Sequence, residues 1–214
     1  EVVLLEQDII FDNSSEVSCF TNGFDEIIDV SNLDRNNFSP FLYFAFGSYS
    51  QDTSFNPTLN SSICKMLRKI NIDFDDVDSL CPVVSHFEQF NSSLEVCGRI
   101  YDGENLLIAK GDYIKIFEMC DVDINRIPKE TLDRMFAIST EILAVAVKKV
   151  SVIPNDLSDQ ISGFRLIGLI GIRRKISKDT LKNISLLEKL GKHCVILYTG
   201  NQSSAKQTFG FDCN

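Results

Sequence analysis

Two kinds of hydrophobic order divide the chain. Val2-Val3-Leu4-Leu5, then Ile9-Ile10-Phe11 after Glu6-Gln7-Asp8, read as a strand over Val2 to Phe11. The strand is expected to stop at Asp12-Asn13-Ser14-Ser15, whose side chains favour turns. Residues 19–40 mix a strand-like piece, Glu26 to Val30, with Asn-rich loop. Pro40 opens a helix expected over Phe41 to Tyr49, because its missing N–H is no loss at a first helical position. Leu59, Ile63, Met66, Leu67 and Ile70 recur at helical spacing between Thr58 and Ile70. The Asp-rich run from Asn71 to Ser79 lacks the Gly and the closing Glu of a calcium loop, so it reads as a solvated loop. Strands follow over Val83 to Phe90, Leu94 to Tyr101 and Asn105 to Lys110, with a hairpin signal at Asp102-Gly103. Helices over Asp112 to Cys120 and Lys129 to Ser139, and a strand over Glu141 to Val150, complete an antiparallel α+β unit.

After Gly163 the rhythm changes. Phe164 to Ile172 is nearly continuous in apolar residues, as in a strand buried on both faces. Lys178 to Leu190 is an amphipathic helix closed by Gly191. His193 to Tyr198 is a second buried strand, Thr199-Gly200-Asn201 a turn, and Gln202 to Phe209 the opening of a last helix. Strand, helix, strand, helix describes a parallel α/β unit, and the opening strand is expected in its sheet. The fold class is therefore α/β, a partial parallel Rossmann-like domain carrying an inserted antiparallel α+β domain. Residues 1–18 and 162–214 form the first, and residues 19–161 form the insertion.

Composition narrows the functions. The chain has 214 residues, 44% hydrophobic and 24% charged, which suits one domain or two small ones with a real core. Its formal charge of -9 gives no basic footprint for nucleic acid. Seven Cys without CxxC spacing, and two His, make a poor metal-ligand set and suit a reducing compartment. No apolar run approaches the length of a membrane span, and no signal peptide is visible, so this chain is not expected to insert in a membrane. It opens on Glu1 rather than Met, which suits a piece of something longer.

The order of these pieces resembles the cytoplasmic part of P-type ATPases, a membrane branch of the haloacid dehalogenase-like superfamily. The resemblance is spread over nearly the whole chain. Ile9-Ile10-Phe11-Asp12-Asn13-Ser14-Ser15 is similar to the family's strand followed by DKTGTLT. Phe87-Glu88-Gln89-Phe90-Asn91-Ser92-Ser93 stands where PFxSxRK is found, and Ala109-Lys110-Gly111-Asp112 where KGAPE is found. Glu141 to Lys148 looks like LRVLAVAYK, and Arg165 to Lys175 like FLGLIGIEDPPR. Leu190 to Asn201 looks like AGIKVVMITGD. The last two matches are the most specific.

The resemblance implies a pump that uses ATP and Mg2+ to move an ion or another substrate. Asp12 would be the phosphoryl acceptor and a magnesium ligand, with Thr199, Gly200 and Asn201 at the phosphate site. Phe90 would stack on adenine, while Lys110 and Gly111 would meet the phosphates. The implied partners are ATP and the membrane-spanning part of the same parent protein, and the implied location is the cytoplasmic face of a membrane. Each residue also has a plainer reading. Asp12 can cap a turn, Phe90 can be core, Lys110-Gly111 can be a hairpin exit, and Thr199 can cap the next helix.

Several family groups are replaced. Asn13 stands in place of the lysine after the acceptor, Asn201 in place of the TGD aspartate, and Glu16 adds negative charge near the acceptor. Removing one such stabilising group costs roughly 10²–10³ in rate. Weak ATP binding and impaired aspartyl phosphorylation are therefore expected. The alternative is a catalytically dead pseudo-ATPase module for interaction or regulation, binding no cofactor. A phosphatase of the same superfamily would need a second Asp two residues after Asp12, where Ser14 stands.

Overall fold

The computed structural model describes residues 2–6, 10–24, 27–30, 39–48, 57–69, 71–89, 94–122 and 129–197. Two sheets organise the described residues. The smaller pairs β1 (Val2–Glu6) with β9 (His193–Leu197) in parallel, Val2 opposite His193 and Glu6 opposite Leu197. Strands from opposite ends of the chain thus lie side by side. Helix α6 (Lys178–Lys189) leads into β9, and Ser177 caps it by accepting from the Thr180 amide.

The larger sheet has seven strands, antiparallel at every pairing. They are β2 (Phe11–Phe20), β3 (Ile28–Asp29), β4 (Val83–Gln89), β5 (Leu94–Tyr101), β6 (Glu104–Asp112), β7 (Glu141–Val150) and β8 (Arg165–Ile176). Their spatial order is β3-β2-β8-β7-β6-β5-β4. Asp102 and Gly103 join β5 to β6 with φ of 51° and 74°, the two left-handed positions that a tight hairpin turn demands.

Side-chain alternation gives this sheet two apolar faces. Leu106, Ile108, Leu143, Val145 and Val147 face helices α1 (Ser39–Phe46), α2 (Pro57–Lys69) and α3 (Phe74–Leu80). Leu107, Ala109, Ile142, Ala144 and Ala146 face α4 (Tyr113–Met119) and α5 (Lys129–Phe136). The molecule is therefore an α+β structure with helices on both sides of an antiparallel sheet. Its parallel part comprises, among the described residues, β1 and β9. No helix among the described residues is long and apolar enough to cross a membrane.

Three expectations differ from what is seen. The opening strand does not run into Asp12. It ends at Glu6, and a second strand, β2, carries Asp12 along with the polar residues expected to turn. Pairing with β8 overrides their turn preference. Ser15 Oγ meets Ser62 Oγ, and Ser62 Oγ donates to the Ser15 carbonyl at 2.8 Å. Second, Phe164 to Ile172 was expected in the parallel unit. The strand β8 is buried on both faces as read, but both its neighbours, β2 and β7, are antiparallel. Third, the Asp-rich run forms α3. Asp75 and Asp76 sit in its first turn, where the helix dipole favours acids, and Val77 is buried in the core.

The start of β2 and the end of β8 are adjacent: Phe11 pairs with Ile176, and Ser177 N donates to the Ile10 carbonyl at 2.8 Å.

Candidate functional site

The chemistry-bearing residues gather on the sheet face beneath α1, α2 and α3. On β5, Leu94 and Val96 point to the α4–α5 side, so alternation sends Glu95, Cys97 and Arg99 to the other. On β6, Lys110 is in phase with Leu106 and Ile108 and shares that face. Glu95 and Lys110 are directly opposite in the β5–β6 register. Their side chains meet at 2.9 Å between Nζ and Oε2, and both residues are almost completely buried. Lys110 Nζ also donates to Ser48 Oγ at 3.0 Å, just beyond the end of α1. Gly47 lets the chain approach this closely, for a Cβ there would meet the Lys110 Cβ at 3.3 Å.

A second cation shares the face. Arg99 is 0% exposed. Its Nη1 reaches Asp78 Oδ1 at 2.6 Å and the Cys81 carbonyl at 2.7 Å, and its Nη2 reaches the Ser48 carbonyl at 3.2 Å. Ser48 therefore accepts from both cations, with its hydroxyl from Lys110 and its carbonyl from Arg99. One network ties the ends of α1 and α3 to strands β5 and β6. Buried charges persist only when paired and hydrogen-bonded in this way.

The thiols around the network are held protonated. Burial pushes the thiols of Cys81 and Cys97 up to about 11, opposed by the nearby Arg99 guanidinium. Burial lowers the pKa of His86, which lies opposite Cys97 in the β4–β5 register; Glu95 pulls it the other way. A protonated thiol is a poor nucleophile, so Cys81 and Cys97 are not activated. Among the described residues no group of three or more His, Cys, Asp or Glu is placed to hold a metal ion.

Of the residues singled out in the sequence, Lys110 and Gly111 lie on β6. Gly111 pairs with Ala144 of β7. Lys110 points inward to Glu95 and Ser48 rather than outward to solvent. Asp12 lies on β2, between the pairs Phe11–Ile176 and Ser15–Arg174, where the register shifts. The Asp12 side chain, Phe90, Thr199, Gly200 and Asn201 lie outside the described residues. Ile142 is buried against α4 and α5.

Sequence reading missed Glu95, Arg99, Asp78 and Ser48. One signal was available. Glu95 and Arg99 are two charges an even number of residues apart in an otherwise apolar strand, which places them on one face. Charges in such a strand require partners inside. No protein-family model and no curated protein matches this chain.

Proposed function

We propose that this chain is the nucleotide-binding and phosphorylation-type part of a P-type-ATPase-like membrane protein, working as a non-catalytic module in interaction or regulation. The observation that carries the reading is the parallel pairing of β1 with β9, with an antiparallel sheet between them in sequence whose strand β2 begins beside the end of β8. An insertion of that kind returns the chain to the neighbouring place in the parallel sheet. The strand-final residue Glu6 then stands beside Leu197, two residues before Thr199 of the Thr199-Gly200-Asn201 segment. The membrane-spanning part of the same parent would supply the spans, on the cytoplasmic side of which this module would sit.

Lys110 supports the inactive form over the weakly active one. With Gly111 it is what survives of the KGAPE-like segment, and its charge is already met by Glu95. Phosphoryl transfer needs free cations and metal around the phosphoryl oxygens. A lysine consumed by an internal carboxylate does not serve that need, and Asn13 and Asn201 offer no charge to replace it.

Calorimetric titration with Mg-ATP, together with acid-quenched labelling from γ-labelled ATP, tests the reading. The expected result is no saturable heat at millimolar nucleotide and no acid-stable label. Acid-stable label that disappears in Asp12→Asn would overturn it. Saturable Mg-ATP heat without label would replace it with the weakly nucleotide-binding form.

A further inference from the structure

We propose that the outer face of α6 docks on an anionic lipid membrane. Helix α6 packs on β9 but has no buried residue of its own. Thr180, Ile184 and Leu187 are half-buried, and their spacing of four and three puts them on one side of the helix. Lys178, Lys182 and Lys189, four and seven residues apart, line the side away from that row, and all three are exposed. Leu186 and Leu190 lie one turn apart between the two sides, 56% and 73% exposed. Lys182 precedes Leu186 by four residues and Lys189 follows it by three, so lysine and leucine form one continuous patch. Such a patch matches a lipid interface, where ammonium groups meet anionic headgroups and leucines enter the acyl boundary. The distribution of charge points the same way. Residues 162–197 carry eight Lys and Arg against Asp179 and Glu188, whereas residues 1–161 carry 27 Asp and Glu against 12 Lys and Arg. Arg173, Arg174 and Lys175 are paired with Glu16 and Glu141 of the larger sheet, so the surplus positive charge lies on and beside α6. There Lys182 is also 3.3 Å from Asp179. An anionic surface repels the acidic remainder and attracts this end, which orients the chain with α6 toward the bilayer. A protein partner, a second copy included, would need a recess shaped to the two leucines, whereas a bilayer accepts a convex row in any register. The docking goes beyond the nucleotide-site reading and rests on α6 alone.

The test is co-sedimentation of the full chain with vesicles of phosphatidylcholine containing about 30% phosphatidylserine, compared with vesicles of phosphatidylcholine alone. Binding to the anionic vesicles is expected to be about tenfold or more stronger, and raising sodium chloride from about 50 to about 300 mM should release the chain. Leu186→Ser with Leu190→Ser, and separately Lys182→Gln with Lys189→Gln, should each weaken binding by about tenfold. These side chains are exposed, so the unfolding midpoint of each variant should stay within about 2 °C of the unaltered chain. Lys115→Gln with Lys129→Gln makes the same change of charge at exposed positions on α4 and α5 and should leave binding unchanged. No preference for the anionic vesicles, or an equal loss in the Lys115 and Lys129 variant, would overturn the docking while leaving the parallel pairing of β1 and β9 untouched. Self-association of the unaltered chain that the leucine variant abolishes would assign the face to a second copy and overturn it as well. Loss of binding confined to the α6 variants supports it.

Discussion

Single residues settle what this sheet face can do. Glu95, Lys110, Arg99 and Ser48 are each less than 6% exposed, and the charged ones are matched at hydrogen-bond distance. Such pairs add little net stability over an apolar pair, but breaking one is costly, so they specify how the helices seat. Arg99 shows this most plainly, with one guanidinium spanning Asp78, the Cys81 carbonyl and the Ser48 carbonyl.

His86 makes this face sensitive to pH. Burial lowers its pKa below the ordinary value of 6.5, so the folded chain holds it neutral where the unfolded chain would protonate it. Between those two values the unfolded state binds more protons, and stability therefore rises with pH. The contribution is fully present above about pH 6.5 and is lost as pH falls toward the lowered folded value. Urea midpoints measured from about pH 7.5 down to about pH 5 should decline more steeply in the unaltered chain than in His86→Gln. Parallel profiles for the two would contradict a half-buried imidazole held neutral.

At the scale of elements, pairing and packing outweigh local preference. The turn-forming residues Asp12 to Ser15 sit in β2 because β8 pairs with them and Ser62 of α2 meets Ser15. The Asp-rich segment is helical because Val77 and Cys81 anchor it to the core. Neither cause is visible in a window of ten residues. By contrast, the Asp102-Gly103 hairpin, the 3.6-residue spacing of Ile63, Met66 and Leu67, and the apolar run in β8 are local signals, and those elements were legible. The continuous apolar run also predicted that β8 would be buried on both sides. It did not reveal which strands flank it, because an apolar strand covered on two faces looks the same in parallel and antiparallel sheets.

The β2–β8 contact depends on a glycine. A Cβ at Gly168 would overlap the Thr21 carbonyl, and Thr21 N donates to the Leu169 carbonyl at 2.9 Å. Thr21 Oγ1 also accepts from the Leu169 amide at 3.1 Å. Gly168→Ala should cost about 1–3 kcal/mol or more through backbone displacement, measured by urea unfolding. Gly163→Ala offers a comparison: its φ is 74° but it has only the Lys148 side chain nearby, so about 1 kcal/mol is expected. Equal, small costs at both positions would contradict the close approach of residue 21 to β8.

For the whole molecule, the arrangement is a parallel pair formed by the chain's two ends and a seven-stranded antiparallel sheet between them. The order of pieces in the sequence anticipated that the ends would meet. It placed the opening strand's end six residues too late, at Asp12 instead of Glu6, because Ile9-Ile10-Phe11 continues the apolar pattern across a break between two strands. The expected residues Lys110 and Gly111 are on the described sheet, but Lys110 serves an internal partner that a motif match does not disclose. A motif records which side chain is present at a position, whereas its partner on the neighbouring strand emerges only from register.

The pairing of β1 with β9 is most directly tested by amide-to-α proton contacts measured by NMR on the full chain. The account predicts contacts between residues 2–6 and residues 193–197 that keep a constant offset, Val2 near His193 through Glu6 near Leu197. Contacts in which the second residue number falls as the first rises, or no contacts between these segments, would contradict it.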